Sequence, residues 1–264
     1  MLWPDTFNNH FTPQVAKAAV DVLEHAGYQV QIPPRSLCCG RPLYDYGMLD
    51  TAKRMLRDTL DTLREPIRDG VPVVALEPSC TTVFRDELTN LLHGDEDAVR
   101  LSKQTFILSE FLKDRVPDYQ PPILQRKALV HGHCHHKSEL HFEAEVDLLK
   151  QAGLECEVPH SGCCGMAGSF GYEADHYQTA LACGERVLLP SVRQAAKDIG
   201  QVADFDARYQ PTLALVKSDV ALGKQLQIRS TPTFFINGVK IEGGLPAQYF
   251  DQAIAIELQR ASAK

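Results

Sequence analysis

Residues 161–171 read Ser161-Gly162-Cys163-Cys164-Gly165-Met166-Ala167-Gly168-Ser169-Phe170-Gly171, and they place two adjacent cysteines before a glycine-rich turn. Adjacent cysteines are poorly placed to bridge to each other, because their side chains diverge and a vicinal disulfide strains the peptide bond between them. Two thiolates beside a flexible backbone suit a metal ion or an iron–sulfur cluster better. The same three residues occur earlier as Cys38-Cys39-Gly40, so the motif is present twice.

The composition excludes several classes of protein. The chain has 264 residues and a net charge of -7, which gives a nucleic-acid role no electrostatic support. No apolar run reaches about 18 residues, so no membrane span is predicted. The first residues lack the basic region and apolar core of a signal peptide. Eight cysteines without an export signal predict a reducing compartment, with ligand or redox thiols rather than a disulfide framework.

Helices and strands alternate along the first part of the chain. The spacing of apolar residues predicts helices over 13–27, about 47–64 and from near Thr82, with strands at 28–32 and 73–76. Residues 97–122 are predicted to be a connecting segment with a helix near 101–113. This alternation favours a parallel α/β sheet, in which loops after the carboxyl ends of strands carry the ligands. Such loops are predicted for Cys38, Cys39 and Cys80.

The segment 123–195 repeats the pattern of residues 1–96. It is predicted to contain strands at 128–130 and 154–158 and helices at about 140–152 and 174–195. The run from Val20 to Gly27 aligns with the run from Val146 to Gly153, and a strand, a proline and Cys-Cys-Gly follow each run. This internal repeat predicts two units that share one fold. The matching loop positions of the second unit are held by Cys134, Cys163 and Cys164.

Residues 196–264 do not continue the repeat. A largely helical stretch is expected from Asp198 to Leu222 with a break at Pro211, followed by a hairpin over 230–241 and a last helix over 246–260. Asn237-Gly238 supplies the type I′ turn that two-residue hairpins prefer.

The two repeats resemble the cysteine-rich CCG domain. This domain occurs in heterodisulfide reductase and in the iron–sulfur parts of glycolate oxidase, anaerobic glycerol-3-phosphate dehydrogenase and lactate-utilisation enzymes. The resemblance covers about residues 1–195 and is strongest to the C-terminal part of fused FAD-binding oxidases of the D-lactate dehydrogenase type. Besides the two Cys-Cys-Gly motifs, it is carried by residues 2–10, 41–47 and 184–190.

The chain departs from the family pattern, which is one cysteine, then Cys-Cys-Gly, then Cys-x-x-Cys. In the first repeat, Asp5 stands where the first cysteine is expected, and Glu77 stands at the first position of the Cys-x-x-Cys that ends in Cys80. The second repeat has no terminal cysteine. Three thiols therefore remain in each half. The replacing carboxylates can ligate iron but suit a sulfur-rich cluster less well.

The resemblance implies an iron–sulfur electron-transfer module of a flavin-linked 2-hydroxy-acid oxidoreductase of the lactate or glycolate type. FAD would lie on a partner dehydrogenase domain or subunit, and electrons would pass on to an acceptor. The protein would be cytoplasmic or peripheral to the inner membrane, and the chain is not expected to be active alone. The implied ligands of a cluster of the 4Fe–4S type are Cys38, Cys39, Cys80, Cys134, Cys163 and Cys164.

The tail resembles the end of a DsbA-like thioredoxin fold, and Thr231-Pro232-Thr233 resembles its cis-proline loop. That loop normally faces a Cys-x-x-Cys, which this chain lacks. The combined expectation is an α/β protein with two repeated Rossmann-like parallel units, followed by a partial thioredoxin-like segment over 196–264.

Other functions remain open at this point. Asp5 and His10 could shape a substrate or docking pocket together with the cysteines. A non-catalytic binding domain could hold zinc through the histidines near Cys134. Alternatively, some of these histidines could hydrogen-bond cluster sulfurs. Thiol–disulfide exchange is disfavoured by the missing Cys-x-x-Cys, and Cys156 and Cys183 are predicted to be structural. The four histidines are His131, His133, His135 and His136.

Overall fold

The computed structural model describes residues 1–168, 170–199, 202–228, 233–242 and 247–262. The chain divides into two compact units, Met1–Ala195 and Ala196–Lys264. Helices and small sheets are mixed along the chain, which confirms the predicted α/β class. Among the described residues, no helix has both the length and the apolar character needed to cross a bilayer.

A small parallel sheet organises the first half of the first unit. Strand β1 (Val73–Ala75) pairs with strand β2 (Thr105–Ile107). On the other side of β1, Leu2 forms a parallel bridge with Val74, and the Leu2 N–H donates to the Gln31 carbonyl at 2.8 Å. Residues 28–32 therefore border the sheet but form no regular strand, contrary to the prediction. Two prolines follow at once, and they have no N–H with which to continue a ladder.

Helices cover both faces of this sheet. They are α1 (Pro13–His25), α2 (Arg41–Asp45), α3 (Leu49–Thr62), α4 (Arg64–Arg68), α5 (Pro78–Thr82), α6 (Leu88–Leu91), α7 (Glu96–Gln104) and α8 (Leu108–Arg115). π-Helical turns occur at Phe7–Phe11 and Val83–Glu87. The predicted helices at 13–27 and 47–64 are confirmed to within a few residues.

The alternation of side chains along β1 divides the core into two clusters. Val73 and Ala75 point into the larger cluster, where the rings of Trp3 and Phe84 meet edge to face with centroids 4.7 Å apart. Val74 points into the smaller cluster on the other face. A sheet buried on both faces is typical of parallel strands covered by helices. The smaller cluster consists of Leu2, Ala19, Leu23, Val74 and Phe111.

Two predicted helix boundaries in this half are wrong. The helix expected near 101–113 is interrupted by β2. Residues 105–107 are Thr-Phe-Ile, which favour strands, and their pairing with the buried β1 overrides the helical spacing on either side. Helix α5 begins at Pro78, four residues before the expected start, because proline suits the first turn of a helix and Glu77 caps it. Cys80 therefore lies in a helix and not in a loop.

A second parallel pair, β3 (Lys127–Leu129) with β4 (Glu155–Glu157), organises the second half. Helix α9 (Cys134–Glu139) follows β3, and α10 (Phe142–Gln151) leads to β4, which confirms the helix predicted at about 140–152. The single helix predicted over 174–195 is instead α11 (Tyr177–Gly184) and α12 (Leu188–Asp198). Glycine is a weak helix former and Pro190 fits the first turn of a new helix, so the break between them has a local cause.

The second unit contains α13 (Val202–Gln225), β5 (Thr233–Ile236), β6 (Val239–Glu242) and α14 (Ala247–Ser262). The break predicted at Pro211 is wrong, because α13 continues through it and accommodates the loss of one N–H donor. The predicted hairpin is confirmed. Asn237 and Gly238 have φ values of 47° and 86°, as a type I′ turn requires. The predicted cis-proline loop at Thr231 and Pro232 lies outside the described residues.

Candidate functional site

Cys38, Cys39 and Cys80 form a first cysteine group. Cys38 and Cys39 precede α2, and Gly40 turns the chain into that helix with a φ of 80°. Cys80 lies in the first turn of α5, shortly after the end of β1. The Sγ atoms of Cys39 and Cys80 are 3.0 Å apart, which is longer than the roughly 2.05 Å of a disulfide bond. Both side chains are buried. Two segments that are distant in sequence thus bring thiols into contact.

Contact and burial keep these three thiols protonated. The hydrogen bond with Cys39, followed by burial, raises the pKa of Cys38 far above its ordinary value. For Cys39, the hydrogen bond with Cys38 lowers the pKa, but contact with Cys80 and burial outweigh it and the pKa is raised. For Cys80, the hydrogen bond with Cys39 lowers the pKa, whereas burial and the nearby carboxylates of Glu77 and Asp5 raise it and prevail. A metal bound here would have to displace protons.

Asp5 and Glu77, the two carboxylates predicted to stand in place of cysteines, both hold local turns. Asp5 is 3% exposed, and its two carboxylate oxygens accept from the backbone N–H and the side-chain Nδ2 of Asn8 at 2.9 and 2.8 Å. The Glu77 carboxylate caps α5 by accepting from the N–H of Cys80 at 2.7 Å and from the Ser79 hydroxyl. Capping of this kind satisfies N–H groups that the first turn leaves free. Both carboxylates therefore shape the walls of the first cysteine group.

An ion pair that sequence reasoning missed lies beside this group. Arg41 directly follows Cys-Cys-Gly, and its guanidinium donates to the carboxylate of Glu87. The two side chains are only 16% and 9% exposed. Asp45, one turn along α2, lies 3.0 Å from the Arg41 Nε. The position of Arg41 directly after Cys-Cys-Gly could have marked it as part of the site. Glu87 is distant in sequence, and no sequence pattern indicated that it would pair with Arg41.

Cys134, Cys163 and Cys164 belong to the second half. The loop predicted for Cys134 is wrong, because Cys134 is the first residue of α9. It follows β3 at the same spacing, five residues, at which Cys80 follows β1. Cys134 and Cys163 are exposed and Cys164 is half-buried. The Gly165 N–H donates to Cys163 Sγ at 3.3 Å, as the Gly40 N–H donates to Cys38 Sγ at 3.5 Å. The two Cys-Cys-Gly motifs thus share a local conformation.

The four histidines of this half have separate local roles. His131 Nδ1 lies 2.7 Å from the Ser161 hydroxyl and ties the loop after β3 to the second Cys-Cys-Gly motif. His133 Nδ1 accepts from the N–H of His135 at 3.2 Å and caps α9. His136 is buried and packs edge to face on Phe142. Burial is the main cause that lowers the pKa of all four imidazoles.

The two cysteine-bearing halves contact each other at several places, and one of these contacts joins two helices that carry cysteines. Helix α5, which carries Cys80, packs against α9, which carries Cys134. The charges of Glu77 and Arg41 reach His133 and His135, respectively, across this contact. Further along, the Tyr46 hydroxyl donates to the Glu173 carboxylate at 2.8 Å. Of the six predicted ligand cysteines, Cys80 and Cys134 thus lie on helices that pack against each other within the first unit.

The donor set suits an iron–sulfur cluster better than a single metal ion. Thiolates are the ligands that such clusters require, and thiols from two segments already converge in the first cysteine group. Within the described part of the chain, no three His, Cys, Asp or Glu side chains are arranged to hold one ion. The remaining cysteines, Cys156 and Cys183, are half-buried, and Cys156 Sγ contacts the Leu154 carbonyl at 3.7 Å.

Comparison with known proteins identifies the class to which this site belongs. The family described as "CCG: Cysteine-rich domain" matches residues 6–85, which include the whole first cysteine group. The chain is 34% identical over 170 residues to lactate utilization protein A of Bacillus subtilis. The aligned region covers 61% of this chain and 69% of that protein. This chain belongs to the CCG cysteine-rich family that includes lactate utilization protein A.

Longer relatives extend the comparison. One subunit of the anaerobic glycerol-3-phosphate dehydrogenase of Escherichia coli is 30% identical over 199 residues, covering 73% of this chain and 49% of that subunit. D-2-hydroxyglutarate dehydrogenase of Pseudomonas putida is 28% identical over 190 residues, which cover 70% of this chain but 18% of that enzyme. The chain thus spans about half the length of the glycerol-3-phosphate dehydrogenase subunit.

Proposed function

We propose that this chain is an iron–sulfur electron-transfer module of a flavin-linked 2-hydroxy-acid oxidoreductase. The observation that carries the proposal is the buried contact between Cys39 and Cys80, two thiols brought together from separate segments. Membership of the CCG family and similarity to two dehydrogenase proteins support it. The substrate class is taken from the names of these relatives, one a lactate utilization protein and one a 2-hydroxyglutarate dehydrogenase.

In this proposal the cysteines of the two halves are the cofactor ligands. A bound cluster of the 4Fe–4S type would accept and release single electrons. Cys38, Cys39 and Cys80 would hold it in the first half, and the second set would be Cys134, Cys163 and Cys164. Asp5 and Glu77 would keep their capping roles and position the ligand-bearing turns, since their carboxylates already accept backbone hydrogen bonds.

The partner in this proposal is a flavin-containing dehydrogenase domain or subunit, with FAD bound there. Similarity to a subunit of one dehydrogenase and to a small part of another supports a module that works beside a separate catalytic domain. Electrons would then pass to an acceptor at the cytoplasmic side of a membrane or in the cytoplasm.

The proposed architecture is two repeated Rossmann-like units, 1–96 and 123–195, joined by residues 97–122. The matching spacing of Cys80 and Cys134 after parallel strands supports it, and so does the common conformation of the two Cys-Cys-Gly motifs. For residues 196–264 we propose a partial DsbA-like thioredoxin fold, supported by the β5–β6 hairpin and the helix that follows it.

Metal and sulfide analysis tests the proposal. The full chain would be purified without oxygen, reconstituted with iron and sulfide, and analysed for iron, acid-labile sulfide and zinc. We expect iron and sulfide in about equal amounts, with a marked loss in Cys80→Ser and Cys163→Ser. Cys156→Ser is the matched control and should keep the wild-type iron content. Zinc without sulfide, or iron content unchanged by all of these substitutions, would overturn the assignment.

A further inference from the structure

The contact between Cys39 and Cys80 has a chemical consequence besides metal binding. Their sulfur atoms are 3.0 Å apart, and the two residues are separated by 41 positions in the sequence. A disulfide requires sulfur atoms at about 2.05 Å, so the two thiols need to approach by only about 1 Å. Neither thiol forms a disulfide in the structure, and both side chains are buried.

We propose that Cys39 and Cys80 are a site of reversible oxidation, forming a disulfide when no metal is bound. Hydrogen peroxide is the oxidant class that balances the step. One thiol first loses its proton, and its thiolate attacks the peroxide oxygen to give a sulfenic acid and a hydroxide that takes up the proton to become water. The second sulfur then attacks the sulfenic sulfur, and its proton leaves with the displaced hydroxyl as a second water. Overall, two S–H bonds and the O–O bond break while one S–S bond and two O–H bonds form, so the peroxide takes up the two electrons that the thiols lose. A thiol reductant reverses the step by exchange.

The geometry favours this pair over the other pairs that contain Cys38 or Cys39. Cys38 is next to Cys39 in the sequence, but adjacent residues place their side chains on diverging paths, and a bridge between them would strain their shared peptide bond. Cys80 approaches Cys39 from another helix, so no short covalent ring is forced. The surrounding segments are already held in place by the Glu77 cap on the Cys80 N–H and by the left-handed turn at Gly40.

The disulfide would fix the arrangement of the first cysteine group and prevent it from binding metal. It would link the start of α2 to α5 and withdraw two of the three thiols from coordination. This consequence rests on the proposed function, whereas formation of the bond does not. A protein that has lost its cluster would therefore store these cysteines in a reducible form, and higher oxidation states would be avoided.

Peptide mapping of the full chain tests the proposal. Metal-free protein would be treated with a small excess of hydrogen peroxide, blocked with N-ethylmaleimide and digested with trypsin without reduction. We expect a cross-link between peptides 36–53 and 69–85, and an intact mass with two fewer alkylated cysteines than the reduced protein. Dithiothreitol should abolish both signals. Absence of this cross-link, with all eight cysteines still alkylated, would overturn the proposal.

Variants identify the sulfur atoms. The cross-link should survive in Cys38→Ser and in the control Cys156→Ser, and it should disappear in Cys39→Ser. If it instead persists in Cys39→Ser and is lost in Cys38→Ser, the assignment is wrong. The wild-type cross-link is independent of whether any variant folds. Iron content is measured separately, so failure of the disulfide and failure of cluster binding give different results.

Discussion

Two single carboxylates hold the turns around the first cysteine group. Asp5 and Glu77 each accept a backbone N–H at the start of a helical turn. A carboxylate can perform this role as well as any small polar residue. The two carboxylates therefore stabilise the local fold around the thiols of the first cysteine group.

Gly165 is the residue that most strictly determines the second Cys-Cys-Gly turn. Its φ is 93°, and a Cβ atom there would lie 2.0 Å from the Ala180 carbonyl oxygen of α11. We expect Gly165→Ala to lower the free energy of unfolding by about 3 kcal/mol, the sum of a left-handed backbone and a forced displacement of α11. Chemical denaturation measures this loss.

The matched control is three residues away. Gly162 has no atom within 4 Å of the position its Cβ would take. Gly162→Ala should therefore change the free energy of unfolding by less than about 0.5 kcal/mol. Equal losses in the two variants would show that the close approach of α11 to Gly165 is not a determinant of the fold.

The ion pair between Arg41 and Glu87 provides a second prediction at the scale of residues. Both side chains are largely buried, so removal of the Glu87 charge leaves Arg41 with only the more exposed Asp45 as its carboxylate partner in a poorly solvated place. We expect Glu87→Gln to cost about 2 kcal/mol of unfolding free energy, less than a fully buried pair would lose because Arg41 keeps some solvent contact. Denaturant titration gives the value.

Glu96 provides the control for this prediction. It pairs with Arg100 on the surface of α7, where its side chain is 83% exposed. Exposed pairs of this kind contribute little, so Glu96→Gln should cost well under about 1 kcal/mol. A loss in Glu87→Gln no larger than that in Glu96→Gln would contradict the importance of the Arg41 pair.

Among the helices, α9 makes stability depend on pH. His136 on α9 is buried, and burial lowers its pKa although carboxylates of the neighbouring segments favour its protonation. The unfolded chain then binds a proton at a higher pH than the folded protein does. The contribution of His136 to the free energy of unfolding is complete above the pKa of the unfolded state and is lost as the pH falls towards the lowered pKa of the folded state. The three carboxylates are Glu110, Glu143 and Glu145.

Unfolding free energies measured from about pH 7.5 to about pH 5.5 test this dependence. The metal-free wild type should lose stability over this range, and His136→Gln should lose less because the residue no longer titrates. His93→Gln is the control, since His93 is exposed. A pH dependence that is the same in His136→Gln and in the wild type would show that the buried imidazole does not contribute.

The elements that sequence could predict were those with clear local signals. Helix α1 ends close to the predicted Gly27, and the hairpin turns at Asn237-Gly238, because glycine and asparagine adopt positive φ values that mark such ends. Strand β2 was missed because its three residues are too few to show a period, and their strand conformation depends on pairing with β1. The continuity of α13 through Pro211 also could not be predicted, because no local sequence pattern indicates it.

At the scale of the molecule, the cysteines could be found from sequence but their partners could not. The two Cys-Cys-Gly motifs supply four of the six candidate ligands, and the positions of Cys80 and Cys134 after predicted strands supply the other two. The contact of Cys39 with Cys80, the packing of α5 on α9 and the pairing of Arg41 with Glu87 join residues that are far apart along the chain. Such contacts follow from the assembled fold and carry no pattern in one sequence.

The central claim is that this chain receives electrons from a flavin, and an anaerobic titration tests it most directly. Protein reconstituted with iron and sulfide would be mixed with reduced free flavin mononucleotide while its visible and electron paramagnetic resonance spectra are recorded. We predict bleaching of the protein's visible absorption, a new paramagnetic signal and reoxidation of the flavin, all lost in Cys80→Ser and Cys163→Ser and kept in Cys156→Ser. A reconstituted protein that takes up no electrons from reduced flavin, or from dithionite as the stronger donor, would contradict the account.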